Sequence, residues 1–169
     1  MDKKFKIPWS SRSHFFLEKE KKAVMKILDK SDVLTQGMWL KKFEKKFIKF
    51  LNSKSKAYAL TSGASAIELA ASVLKLKPSD EIIIPSHTYC ATALPFIRYS
   101  CKIKWVDINK EDFTIDIDHL KKLVSKKTKA IVAVHLYGLP CEIIKIKKIC
   151  DNKKIILIED CAQSLGAKI

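Results

Sequence analysis

Two rhythms of apolar residues divide this chain near residue 57. Ahead of it, Leu17, Val24, Ile27 and Leu28 recur at helical spacing and predict a helix over residues 15–28 with one buried stripe. A second helical pattern covers residues 39–51, with Trp39, Phe43, Phe47 and Phe50 on one side and lysines on the other. Gly37 permits the turn between the two. Residues 1–56 therefore read as an N-terminal helical segment.

From residue 57 onward, short apolar runs alternate with helical patterns. Strands are predicted at 57–60, 81–85, 103–107, 130–136 and 155–159. Helices are predicted at 66–74, with Ile67, Ala70 and Leu74 on one face, and at 91–99. Two more are predicted at 117–124 behind Asp116 as cap and at 142–150 with Ile143, Ile146 and Ile149 inward. Strands that are apolar throughout, joined by helices and short connections, are the pattern of a parallel sheet covered on both faces. Residues 57–169 thus read as an α/β domain, a three-layer sandwich. The last residues, 166–169, follow the final strand with no helix to cover it, so the sequence is expected to be the front part of something longer.

Composition narrows the picture. At 169 residues, 47% hydrophobic and 9% aromatic, the chain has the material for one packed domain and is neither disordered nor fibrous. No apolar run approaches bilayer length, and the opening MDKKFKIPWSS has no apolar signal core, so a cytoplasmic protein without a membrane partner is expected. Cys90, Cys101, Cys141, Cys150 and Cys161 are odd in number and form no C-x-x-C pair, which fits reduced thiols better than disulfides or zinc. The net charge is +15, yet of 33 basic residues only Arg12 and Arg98 are arginine. Readers of nucleic acid rely on the arginine fork. Lysine is also absent between Lys77 and Lys102 and between Lys129 and Lys145. A solvated lysine-rich surface is therefore expected, and no nucleic-acid partner.

In such sheets ligands bind beyond the carboxyl ends of the strands. After the first predicted strand comes T-S-G-A-S-A at 61–66, whose small residues let backbone N–H groups and a helix N-terminus meet an anion. An ordinary turn capped by Ser62 is the alternative. The motif is no dinucleotide fingerprint, because G-x-G-x-x-G is absent. After the second strand, Tyr89 is placed either to lie against a planar ligand or to fill the core. His135 is either a ligand contact or a hydrogen-bonded structural histidine. Glu159 and Asp160 end the last strand, where a carboxylate pair needs a positive partner, either a protonated ring nitrogen or a metal. No His/Asp metal cluster stands at ligand spacing, so no metal site is expected. A phosphate turn, an aromatic plate and a strand-end Asp describe a site for a phosphorylated, protonatable heteroaromatic ring, and pyridoxal 5'-phosphate fits that description.

The same residues carry a family resemblance. P-W-S near the start, Gly37 before Phe43-Glu44, T-S-G-A-S-A at 61–66 and D-E-I-I-I-P-S-H-T-Y at 80–89 come first. V-D-I at 106–108, K-T-K-A-I at 127–131, V-H-L-Y-G-L-P at 134–140 and I-E-D-C-A-Q-S-L-G-A at 158–167 follow in the same order. The set resembles the sugar aminotransferases of the DegT/DnrJ/EryC1/StrS family. The resemblance implies the large domain of a fold-type-I pyridoxal-phosphate enzyme, incomplete at its C-terminus. It implies transfer of an amino group, usually from glutamate, to a keto group of a nucleotide-linked sugar, in amino-sugar and polysaccharide biosynthesis, by a homodimer. It places the phosphate at Gly63, Ala64 and Ser65, the pyridine ring under Tyr89, the ring N–H⁺ at Asp160 and the phenolic oxygen beside Gln163.

Two departures bear on that expectation. Ala64 stands where the family commonly has threonine, removing a hydroxyl contact to phosphate that Ser65 is positioned to replace in part. The family's Schiff-base lysine lies in a segment resembling S-F-x-x-x-K beyond Asp160, which this sequence does not contain, and Lys168 stands in a different context. No catalytic lysine is therefore assigned, and the chain alone is expected to be inactive until a second-half polypeptide supplies that amine. The alternatives are a non-catalytic remnant or binding module, a dehydratase-type relative in which the lysine is replaced, and a basic polyanion binder.

Overall fold

Four short strands, Glu81–Pro85 (β1), Lys102–Val106 (β2), Thr128–Val134 (β3) and Ile156–Asp160 (β4), hydrogen-bond side by side in the order β2-β1-β3-β4, every pair parallel. The register sets Ile84 opposite Trp105, Ile83 opposite Ile131 and Val132 opposite Ile158. This computed structural model describes residues 16–30, 35 and 37–169. The chain divides into two compact units, Met1–Ala57 and Tyr58–Ile169. The first contains helices Glu18–Lys30 (α1) and Met38–Phe50 (α2). The second contains the sheet with helices Gly63–Val73 (α3), Leu94–Arg98 (α4), Ile117–Leu123 (α5) and Ile143–Lys153 (α6).

The sheet separates two cores, as alternating side chains require. On one face Ile82, Ile84, Ala130, Val132 and Val134 meet Ile67, Ala71 and Leu74 at α3 and Phe96 of α4. On the other, Ile83, Val106, Ile131 and Ala133 meet Ile117 and Leu120 of α5 and Ile146 and Cys150 of α6. Three consecutive isoleucines, Ile82, Ile83 and Ile84, are wholly buried, each contributing about 1.5–3 kcal/mol of apolar burial. Polar caps define the starts of α3 and α5. Ser62 Oγ accepts the Ser65 N–H at 3.1 Å, and Asp116 Oδ1 accepts the N–H groups of Asp118 and His119 at 2.8 and 2.9 Å. At the amino end of β1, Lys104 Nζ lies 2.8 Å from Glu81 Oε2 and Ser125 donates to the same oxygen. Burial pushes the Glu81 carboxyl up, but the bonds from Lys104 and Ser125 bring it below its ordinary value.

Several sequence expectations are corrected. Residues 57–60 form no strand; they run as irregular chain with Tyr58 and Leu60 exposed, and no ladder incorporates them. Apolar continuity on both faces is confined to the central strands, because β2 and β4 stand at the edges and leave several side chains partly or fully exposed. The helix expected at 66–74 starts three residues earlier, at the Ser62 cap, and buries Ala71 rather than Ala70. The helix expected at 91–99 divides into a 3-10 turn, Cys90–Thr92, and α4, with Pro95 in the first turn of α4. The stripes of α1 and α2 form, but Leu17, Val24, Leu28, Trp39, Phe43 and Phe50 are exposed. Pro8, Trp9 and Ser10 of the P-W-S motif, and Phe15 at the expected helix start, lie outside the described residues. All five cysteines are free thiols.

Candidate active site

Asp160 is the last residue of β4, and strand alternation decides where it and its neighbour point. Ile158 packs in the α3/α4 core and Leu157 in the α5/α6 core, so Asp160 belongs to the first face and Glu159 to the second. The carboxylate pair read from the sequence is therefore two separate groups with separate partners.

Asp160 Oδ2 accepts the Thr92 hydroxyl at 3.0 Å, and Oδ1 accepts the Ala162 N–H at 3.1 Å. Thr92 is 1% exposed and lies 2.9 Å from the Thr88 hydroxyl. Because the Thr92 hydrogen is committed to Asp160, Thr88 is the donor of that pair. The result is a directed chain from Thr88 through Thr92 to Asp160. Both threonines lie inside the S-H-T-Y-C-A-T run, but their link to Asp160 spans 68 residues and was not legible there.

Tyr89 caps the 3-10 turn that contains Thr92 and is 74% exposed, so it is not a core residue. The same turn packs against α3. At the start of α3, Ser65 Oγ lies 2.9 Å from Thr61 Oγ1 and 3.0 Å from Ser62 Oγ. The N–H groups of Gly63 and Ala64 open the helix and have no intrahelical acceptor. A Cβ added to Gly63 would meet nothing within 4 Å, so a ligand can approach those N–H groups freely. Hence α3, the Tyr89 turn and Asp160 are linked through Thr92 and the packing of α3. Gln163 lies in the loop after β4, where its Oε1 accepts the Tyr137 N–H at 3.0 Å and its NH₂ end becomes the donor end.

His135 resolves as the structural alternative. It is 5% exposed, its Nδ1 accepts the Cys141 N–H at 3.1 Å, and its Nε2 lies 3.2 Å from Glu159 Oε2. The Cys141 and Cys161 sulfurs and the Glu159 carboxylate raise the ring's proton affinity. The Cys141 N–H opposes this and decides the tautomer. A nitrogen that accepts a backbone N–H carries no proton, so the ring's proton sits on Nε2 and is donated to Glu159. That bond holds the Glu159 carboxyl below its ordinary value against the opposing effect of burial. His135, Glu159 and Cys161 bring ligand-type atoms within 4.8 Å of one another, a grouping that sequence spacing did not reveal. It is built as a hydrogen bond rather than a metal site, because a cation on Nε2 would require a proton on Nδ1 facing the Cys141 N–H. No helix among the described residues is long and apolar enough to cross a membrane.

Comparison with known proteins places these features in context. The profile of the DegT/DnrJ/EryC1/StrS aminotransferase family matches residues 16–169. GDP-perosamine synthase of Vibrio cholerae is 33% identical over 150 residues, covering 89% of this chain and 41% of its own. GDP-4-keto-6-deoxy-D-mannose 3-dehydratase of Yersinia pseudotuberculosis is 37% identical over 158 residues, covering 90% of this chain and 40% of its own. The E. coli GDP-4-keto-6-deoxy-D-mannose-3-dehydratase with bound hydrated PLP superposes with a TM-score of 0.81 at 36% identity, over 87% of this chain and 39% of that one. The chain thus spans about two fifths of the length of the curated relatives it matches.

Proposed function

This chain belongs to the DegT/DnrJ/EryC1/StrS aminotransferase family, and from that premise we propose that it is the cofactor-binding part of an enzyme that moves an amino group, from glutamate, onto a keto carbon of a nucleotide-linked hexose. The observation that carries the reading is Asp160, a strand-end carboxylate held in place by the Thr92 hydroxyl and the Ala162 N–H in the packed neighbourhood of an exposed Tyr89 and an open helix N-terminus. Those residues suit pyridoxal 5'-phosphate. The free N–H groups of Gly63 and Ala64, with the Ser65 hydroxyl, would hold the phosphate, where the dipole of α3 also favours an anion. Tyr89 would lie on the ring, and the Gln163 NH₂ would donate to the phenolic oxygen.

When bound, the cofactor supplies an electron sink for amino-group chemistry. The part this chain plays is to hold it and set its charge. Asp160, oriented by the Thr92 hydroxyl and the Ala162 N–H, would pair with the protonated ring nitrogen. Thr88 and Thr92 keep that carboxylate oriented. The Tyr137 N–H fixes the Gln163 amide so that its donor end is free. The amine that anchors the cofactor in the family belongs to a segment without a counterpart in this sequence, so amino transfer would also draw on the part of the family's fold that this sequence does not span.

A second reading, removal of the 3-hydroxyl from the hexose, is supported by the 37% identity to the Yersinia 3-dehydratase. Reconstitution separates the two. The chain is combined with the C-terminal part of GDP-perosamine synthase and supplied with GDP-4-keto-6-deoxymannose and glutamate. Glutamate-dependent formation of an amino sugar is the expected result. A 3-deoxy product would favour the dehydratase reading, and tight assembly without turnover would favour a binding module.

A further inference from the structure

Three aromatic side chains from three different loops meet at the carboxyl edge of the sheet. His87 follows β1, Phe113 lies between β2 and α5, and Tyr137 follows β3. The His87 ring centroid is 6.1 Å from those of both Phe113 and Tyr137, at interplanar angles of 49° and 48°. His87 Nε2 and the Tyr137 hydroxyl share a hydrogen bond at 3.0 Å. All three side chains are exposed.

Their backbone is unusual in the same place. Phe113 has φ 60° and Tyr137 φ 54°, the left-handed region that bulky L-residues seldom adopt. Both are held there. The Phe113 N–H donates to Asn109 O at 2.9 Å, and the Tyr137 N–H donates to Gln163 Oε1 at 3.0 Å. Next to Tyr137, the Gly138 N–H donates to Ser164 Oγ at 3.1 Å. Strained backbone that holds aromatic rings in solvent brings no compensating burial within this fold, and such conformations concentrate at ligand clamps. Rigid aromatic faces pack well against the C–H faces of a ring.

We propose that His87, Phe113 and Tyr137 form an aromatic wall that packs against the hexose ring of a nucleotide-linked sugar. The choice of hexose over base rests on the proposed function through one link. Gln163, which anchors the Tyr137 backbone, lies on that reading beside the phenolic oxygen, next to the cofactor carbon that exchanges the amino group. The sugar carbon that reacts must come within bonding distance of that point, and the base lies two phosphates further along the substrate. The bonded His87 and Tyr137 edges also offer polar atoms for a sugar hydroxyl.

Saturation-transfer NMR on the full chain with GDP-mannose as probe tests this. Saturation should reach the hexose C–H protons, and isotope-filtered spectra of the unsubstituted chain should show contacts from those protons to the rings of Phe113 and Tyr137. Phe113→Ala and Tyr137→Ala should each weaken binding by about fivefold. Tyr137→Phe, which keeps the ring, should lose less. Saturation confined to guanine, contacts to other aromatic residues, or no binding would overturn the wall. The cofactor reading is scored separately by titrating pyridoxamine 5'-phosphate. Binding of that compound at Asp160 with the hexose indifferent to both alanine substitutions sinks the wall alone; hexose contact at the wall without cofactor binding sinks the cofactor reading alone.

Discussion

Thr92→Val keeps the shape of a side chain that is 1% exposed and removes only its hydroxyl. That hydroxyl donates to Asp160 Oδ2 at 3.0 Å and accepts from Thr88 at 2.9 Å. A hydrogen bond to a charged group contributes about 1.5–3 kcal/mol net. Asp160 is half-buried and keeps the Ala162 N–H, so water replaces part of what is lost. The expected destabilisation is therefore about 1–2 kcal/mol. Urea unfolding should report it as a lower midpoint with an unchanged slope. Thr92→Ser, which restores the hydroxyl, should recover most of it. In a double-mutant cycle with Asp160→Asn, a coupling of about 1 kcal/mol is expected, because the two side chains touch. A loss below about 0.5 kcal/mol, or strict additivity with Asp160→Asn, would refute the claim that Thr92 holds this carboxylate.

Two further predictions concern buried groups away from the site. Lys104→Met should cost about 3–5 kcal/mol, because Glu81, whose side chain is 8% exposed, loses its bonded cation and keeps the Ser125 bond and the more distant charge of Lys102; adding Glu81→Leu should recover much of the loss. In the native chain the lowered Glu81 pKa adds stability above the ordinary 4.5 that is lost as acid titrates the group, whereas in Lys104→Met burial dominates and this contribution reverses sign; urea midpoints measured across the acid range read both slopes. Burial raises the Cys150 thiol from 9.0 to about 11, so its contribution is complete below pH 9.0 and is lost as pH rises toward about 11. The loss amounts to about 2 kcal/mol, and Cys150→Ala, though less stable throughout, should lack that alkaline slope.

What was legible in the sequence depended on how local its cause is. The caps at Ser62 and Asp116 were readable because a cap bonds three residues or fewer ahead. The central strands were readable because burial on both faces leaves an unbroken apolar run. Residues 57–60 looked like a strand on composition alone, but pairing, not composition, makes a strand. Thr92 with Asp160, and His135 with Glu159, meet only because β1, β3 and β4 lie side by side in register. No local spacing encodes a contact across 68 or 24 residues. The sequence left Tyr89 with two alternatives, core or plate, and its exposure removes the first. The left-handed backbone at Phe113 and Tyr137 carried no sequence signal, since neither is glycine or asparagine.

The central claim is that Gly63, Ala64, Ser65, Tyr89, Asp160 and Gln163 make up one cofactor site. Chemical-shift mapping of the isotope-labelled chain with pyridoxamine 5'-phosphate tests it most directly, because that form carries its own amine and needs no lysine to anchor it. The account predicts perturbations concentrated at those six residues together with Thr92, with the Tyr89 and Gln163 changes lost in Asp160→Asn and the Ser65 change retained through the phosphate. Perturbations scattered over the lysine-rich surface, or none at millimolar ligand, would contradict it.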